Sequence, residues 1–408
     1  VLWGRETDSP RGRIALIKGA LDGETDITDR VAHHFDTCLG CMSCVTACPS
    51  GVQYDKLLGA TRPQIERHVD RPVADRLFRR LIFSLFPYPD RLRLVALKLW
   101  AYQQSGLQRL LRGSGLLKLL PQRLQAMEAV MPPIALPGAW TDAPARVPAV
   151  GERRRRVGLL LGCVQRVFFD DVNAATLRVL TAEGCEVVIP PSQGCCGALM
   201  LHAGQEDDAV AMARRFIDAF EAEAADVDTI VINSAGCGSS LKEYGHLLRD
   251  DTRYAARAQA LSDKCQDISE LLSELEPRAP RHPLPLSVAY HDACHLQHAQ
   301  GVTAEPRRVL ATIPSLDVRE VPEAGICCGS AGIYNLVEPT TANDLGDRKA
   351  THIRTTGADA VVSSNPGCLL QIASRLAQAG VPTPTYHMVQ LLDASIRGSS
   401  LDSRGDSG

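Results

Sequence analysis

Gly194-Cys195-Cys196-Gly197 and, 132 residues further on, Ile326-Cys327-Cys328-Gly329 are the stretches whose reading decides the fold. They belong to a longer repeat: Cys163, Cys195, Cys196 and Cys237 recur as Cys294, Cys327, Cys328 and Cys368, at offsets of 131, 132, 132 and 131 residues. Asn233-Ser234-Ala235-Gly236-Cys237 likewise matches Ser364-Asn365-Pro366-Gly367-Cys368. Four matched offsets mean a duplicated unit, so 151–277 and 284–394 read as two domains folded alike. In each, short apolar runs alternate with longer helical ones, the pattern of parallel α/β architecture. The runs 157–161, 186–189 and 229–232, then 287–290, 317–321 and 360–362, each end within a few residues of a repeated cysteine. Beyond the carboxyl ends of parallel strands, loops converge and helix N-termini offer unpaired N–H groups to negative charge. Four thiolates in each domain are expected to meet there.

Toward the N-terminus stands a different pattern, Cys38-Leu39-Gly40-Cys41-Met42-Ser43-Cys44-Val45-Thr46-Ala47-Cys48-Pro49. Two residues between successive cysteines let their thiolates curl around one iron cube, and the proline redirects the chain after the fourth. This is the [4Fe–4S] run of bacterial ferredoxins, in which three cysteines hold one cube and the fourth reaches a second. Structural zinc generally takes two separated pairs instead. Cys38, Cys41, Cys44 and Cys48 are therefore the cofactor-binding residues. The eight repeated cysteines are assigned to metal as well, either a further iron–sulfur cluster or zinc. Cys185 and Cys265 have no repeat partners and read as packing residues. His291 and His295 flank Cys294 and read as hydrogen-bonding or capping groups in preference to ligands, since Gly162 and Val164 flank Cys163. His33 and His34 read as solvated.

A chain of 408 residues calls for two or three domains. Its 14 cysteines cluster as metal ligands do, which points to a reducing, cytoplasmic compartment. Residues 1–19 do not resemble a secretory signal, and no apolar stretch is long enough to span a bilayer. The net charge of −3 gives no case for nucleic acid. Locally the balance differs: 71–128 carries eleven Lys or Arg against three Asp or Glu, a net of +8. Arg and Leu interleave there at helical spacing, with breaks at Pro87, Pro89, Gly113 and Pro121, so three or four short helices are expected. Their basic face suits solvent, a docking partner or anionic headgroups, hence peripheral contact with the inner face of the membrane through 71–128. The expected order is an α-helical ferredoxin-type module over 1–69, the basic helical segment over 70–137, a proline-rich linker over 138–150, the two α/β domains and a flexible tail over 395–408. Dinucleotide fingerprint, P-loop and nucleophile elbow are all missing, so no catalytic residue is assigned. The chain reads as a wire, with the two-electron step on a flavin-bearing partner.

Taken together these features resemble the iron–sulfur subunit of bacterial glycolate oxidase, and more broadly proteins that join a ferredoxin module to two CCG domains. The matching residues are Asp8-Ser9-Pro10-Arg11-Gly12-Arg13-Ile14, Cys48-Pro49-Ser50-Gly51-Val52, Asn233 through Gly245, and Cys327-Cys328-Gly329-Ser330-Ala331-Gly332. The resemblance implies an oxidoreductase subunit in complex with flavin-containing subunits that oxidise glycolate, electrons leaving toward the quinone pool. It also implies an earlier cysteine run upstream of Leu2, so the module reads as N-terminally truncated. The fuller CCG pattern ends in Cys-x-x-Cys, where this chain has Ser234 and Asn365. The alternative is a lactate-utilisation or heterodisulfide-reductase-like subunit with redox-active CCG sites.

Overall fold

The computed structural model describes residues 2–134 and 143–401. Among the described residues nine short strands form two sheets. The first holds β1 (Arg146–Val147), β2 (Arg155–Leu159), β3 (Cys185–Val188), β4 (Thr229–Ile232) and β5 (Cys265–Asp267), in the order β1-β3-β2-β4-β5. Only β1 runs antiparallel to its neighbour. The second sheet holds β6 (Leu286–Tyr290), β7 (Leu316–Glu320), β8 (Ala360–Ser363) and β9 (Thr385–His387), all parallel, in the order β7-β6-β8-β9. Without β1 the two orders are the same, as a duplicated unit requires. In each sheet the strand order reverses between the first strand and the third, the crevice where doubly wound folds place ligands.

The apolar runs read from sequence became β2–β4 and β6–β8. Val157, Leu159, Val231, Val288 and Val361 are fully buried, because helices cover both faces of a parallel sheet and a continuous apolar run results. One hydrophobic cluster contains Val157, Leu159 and Val187 of the first sheet together with Val288, Tyr290 and Val362 of the second. The two repeats therefore share a core. The helices Asp170–Ala182 and Met388–Arg397 pack across it, and Arg178 grips Asp393 with two bonds of 2.9 and 2.7 Å. The loops after β4 and β8 meet directly, with Ala235 N–H donating to the Ser364 carbonyl at 3.1 Å.

The N-terminal helices Pro10–Leu21 and Asp29–Asp36 open on Ser9 and Thr28, whose hydroxyls accept from Gly12 and Val31 backbone N–H groups. His34 is not solvated as expected: its Nδ1 meets Asp8 Oδ1 at 2.8 Å, beside the buried Arg13. The basic segment forms Val73–Leu85, Pro89–Gln104, Leu107–Ser114 and Gln122–Ala129. Not all of its charge faces solvent, since Arg71 binds Asp36 and Glu66 and Arg79 binds Asp75. The expected tail from 395 is corrected at its start. The last helix runs to Arg397 because Ser395 is buried and donates to the His282 carbonyl at 2.7 Å. Of the expected linker, 138–142 lies outside the described residues, as does 402–408 of the tail.

Candidate metal centres

The cysteine run is shaped by two residues in left-handed conformation, Gly40 (φ 67°) and Met42 (φ 60°), which alternate with its cysteines. For Met42 that conformation costs about 1–3 kcal/mol, and strain of this kind is held where surrounding contacts over-determine it. Cys38 is buried and accepts from the Tyr54 hydroxyl at 3.8 Å. Arg62 donates to the Cys38 carbonyl at 2.5 Å and to the His202 carbonyl at 2.7 Å, tying the run to the first CCG domain. Burial, with the negative charge of neighbouring sulfurs, pushes the Cys41 thiol up to about 12 and that of Cys44 up to about 11. Cys41 feels Cys294 as well as Cys38, and Cys44 feels Cys38 and Cys41. Cys48 stands apart. Its sulfur meets the backbone N–H groups of Val52, Ser50 and Gly51, which lower its pKa.

In each repeat the four thiols follow the first three parallel strands, β2–β4 in the first and β6–β8 in the second. Cys163 follows β2, Cys195 and Cys196 follow β3, and Cys237 lies in the first turn of the helix Ala235–Lys242 after β4. The sulfurs of Cys163 and Cys195 are 3.4 Å apart; those of Cys294 and Cys327 are 3.9 Å apart. Gly197 and Gly329, both left-handed, donate their N–H groups to Cys195 and Cys327 at 3.4 Å. The glycine of the motif thus turns a backbone amide onto the first sulfur of the pair. Tyr244 closes the first site by donating to the Cys196 carbonyl at 2.7 Å, and Asn365 donates to Cys368 Sγ at 3.3 Å in the second.

The run and the second repeat form one neighbourhood. Leu39 and Cys41 pack against the cluster that holds Cys294, Cys327, Cys328 and Cys368. The Tyr334 hydroxyl donates to the Thr37 carbonyl at 3.2 Å, and Thr46 Oγ1 meets His298 Nδ1 at 2.8 Å. Burial pushes the His295 imidazole down to about 4, so near neutral pH its Nε2–H donates to the Gly40 carbonyl at 3.1 Å. Its Nδ1 meets Ser239 Oγ at 2.7 Å. His295 is thus a hydrogen-bonding residue, and its partners are Gly40 of the run and Ser239 of the first repeat. His291 departs from the expected hydrogen-bonding role, since neither ring nitrogen makes a hydrogen bond. Cys185 and Cys265 sit buried at the starts of β3 and β5, each packed in a hydrophobic cluster.

The donor chemistry of these residues suits iron and sulfide. All are soft sulfur donors, and the repeated cysteines are buried except for the half-buried Cys237, with sulfurs in contact between Cys163 and Cys195 and between Cys294 and Cys327. Donating a hydrogen bond to a neighbouring sulfur, together with burial, raises Cys195, Cys237 and Cys294 well above the ordinary thiol range. Several such thiolates persist side by side only when a cationic centre draws them together. The sequence did not reveal Tyr54, Arg62, Tyr244, Tyr334 or His298, because their roles depend on contacts with distant segments. For Tyr334 and Thr37 the separation is 297 residues.

Comparison with known proteins follows the same divisions. The family model described as "Glycolate oxidase iron-sulfur subunit, linker region" matches residues 74–131. "Cysteine-rich domain" matches 157–242 and 288–373, and "4Fe-4S binding domain" matches 31–54. The probable glycolate oxidase iron-sulfur subunit of Bacillus subtilis is 39% identical over 393 residues, covering 95% of this chain and 88% of that one. The glycolate oxidase iron-sulfur subunit of Escherichia coli is 36% identical over 398 residues, covering 97% and 90%. Lactate utilization protein A of Halalkalibacterium halodurans is 30% identical over 239 residues, covering 58% of this chain and 96% of that one.

Proposed function

The chain belongs to the family of glycolate oxidase iron–sulfur subunits, and we propose that it is the electron-carrying chain of a flavin-dependent 2-hydroxy-acid dehydrogenase. In this reading glycolate is oxidised on a flavin-bearing partner and the quinone pool is the final acceptor. Cys38, Cys41 and Cys44 hold one [4Fe–4S] cluster and Cys48 serves a neighbouring one, as the spacing of the run implies. Cys163, Cys195, Cys196 and Cys237 hold a cluster in the first repeat, and Cys294, Cys327, Cys328 and Cys368 hold one in the second. When bound, such clusters accept and release single electrons.

The observation that carries this reading is the packing of Cys41 on the Cys294 and Cys327 side of the second repeat. The chain's own residues hold that junction in place. Leu39 covers it, His295 and Tyr334 fix the register of the run, and Arg62 holds the run's backbone from the other side. The rival reading, thiol–disulfide exchange at the CCG sites, needs a thiol that a disulfide can reach. Cys195, Cys196, Cys327, Cys328 and Cys368 are each at most 4% exposed, which favours electron transfer.

The basic segment is assigned to peripheral contact with an anionic membrane surface. Among the described residues no helix is long and apolar enough to cross a membrane. The segment exposes Leu77, Leu81, Leu94, Leu97, Leu110 and Leu119 together with Arg76 and Arg80, a combination suited to headgroups and the acyl boundary.

Cys41→Ser in the complex with its flavin-bearing partners tests the proposal. Substrate-driven flavin reduction survives while reduction of a quinone analogue falls to background. Loss of flavin reduction in a properly assembled complex would place the substrate chemistry on this chain.

A further inference from the structure

His291 is a feature of the second repeat that the first does not share. The offset relating Cys294 to Cys163 puts Leu160 at the equivalent position, and Leu160 lies in an apolar cluster of the first repeat. His291 is just as buried, at 1% exposed, directly after β6. Its backbone N–H donates to the Val362 carbonyl at 2.8 Å, yet both ring nitrogens lack a hydrogen-bond partner. A buried imidazole in that state forfeits its hydration with nothing in return, so another kind of partner is implied. The ring faces sulfur: a ring nitrogen and the Sγ atoms of Cys328 and Cys368 all lie within 4.8 Å of one another. A metal bound at about 2.0–2.1 Å from nitrogen and about 2.3 Å from sulfur spans a triangle of that size after small rotamer adjustments.

We propose that His291 supplies an imidazole ligand, beside Cys328 and Cys368, to iron of the cluster in the second repeat. The second site is then a mixed nitrogen and sulfur site, whereas the first is ligated by sulfur alone. The inference rests on the reading that both repeats hold iron–sulfur clusters. A neutral imidazole adds a ligand without the negative charge that a fifth thiolate would bring, which keeps the potential of the cluster higher than a further thiolate would. A second asymmetry acts in the same direction. Lys349, 1% exposed, feels the charge of both Cys328 and Cys327, while the position 132 residues earlier is the buried Ile217. Its ammonium donates to the Glu323 carbonyl at 2.8 Å. The carboxylate nearest His291 in sequence, Asp292, is neutralised by a two-bond pair with Arg307 at 2.9 and 2.8 Å. The second cluster is therefore the more readily reduced of the two, and electrons collect there.

The test uses the full chain with its flavin-bearing partners, purified anaerobically and labelled with 15N-histidine. Pulsed EPR of the reduced protein is expected to show a strong, directly bonded histidine nitrogen coupling that changes with the isotope. His291→Leu, which installs the first repeat's residue, abolishes that coupling and lowers the iron content. His291→Cys restores the iron, leaves the coupling absent and shifts one midpoint potential downward. A parent protein with iron in both repeats but no strong histidine coupling would overturn the ligation alone. Zinc in place of iron at Cys328 and Cys368, or no metal there, would overturn both the ligation and the cluster reading on which it rests.

Discussion

Gly329 lies so close beneath the backbone of Ala342 that a Cβ added to it would stand 2.3 Å from the Ala342 carbonyl oxygen. Its counterpart Gly197 is less confined, a Cβ there coming to 3.2 Å from the Ala209 carbonyl oxygen. Both glycines are left-handed, and both give an N–H to the first cysteine of their pair.

Gly197→Ala should therefore cost about 1–2 kcal/mol, the penalty of a side chain in the left-handed region. Gly329→Ala adds an overpacking cost of about 1–3 kcal/mol, because a backbone carbonyl cannot move aside as a side-chain end can. Denaturant unfolding of the two variants checks the ranking. Equal losses would mean that the crowding at Gly329 relaxes without cost.

Asp267 gives a pH dependence with a definite sign. Burial pushes its carboxyl up to about 6, although its Oδ1 caps the helix Ile268–Glu274 by accepting from Ser269 N–H at 2.9 Å. A carboxyl raised above its unfolded value is protonated in the folded state first, so the folded chain binds more protons between about pH 6 and pH 4. This group alone then favours folding as pH falls through that window, by about 1–3 kcal/mol. Asp267→Asn keeps the capping oxygen and removes the titration. The stability difference between parent and variant should shift toward the parent by that amount from pH 7 to pH 4.5, read by thermal unfolding. A pH-independent difference would show that Asp267 stays ionised in the folded chain.

The membrane assignment singles out Arg76, Arg80 and Arg91, which are exposed, and leaves aside Arg79, which binds Asp75 at 2.9 Å. Each basic side chain near an anionic leaflet contributes about 1 kcal/mol, so converting all three to Gln should weaken vesicle binding by about a hundredfold. Iron content should not change. Binding to vesicles containing phosphatidylserine, measured by sedimentation at low and high salt, checks it. A parent that does not bind would leave the basic face to a protein partner.

The strands β3, β4, β6 and β8 and the second half of β2 were legible from their apolar residues between turn signals, whereas β7, Leu316-Asp317-Val318-Arg319-Glu320, alternates apolar and charged side chains as an edge strand can. The strands β5 and β9 were not: Cys265-Gln266-Asp267 and Thr385-Tyr386-His387 are three residues long, mix polar with apolar side chains, and owe their extension to pairing with β4 and β8. The cysteines were legible because ligation fixes their spacing along the chain. The support of the run by His295 and the packing of Cys41 near Cys294 were not, since each joins residues some 250 apart and leaves no periodic trace. His34 was misread for a similar reason, its partner Asp8 lying on a separate element.

The central claim is that electrons leave the flavin through this chain. Freeze-quench EPR of the anaerobic complex mixed with glycolate tests it most directly. Iron–sulfur signals of the reduced chain should appear after flavin reduction and before the quinone analogue is consumed, and should vanish when the acceptor is added in excess. Full-rate acceptor reduction with no iron–sulfur signal at any time, in a complex that carries its full iron content, would contradict the account.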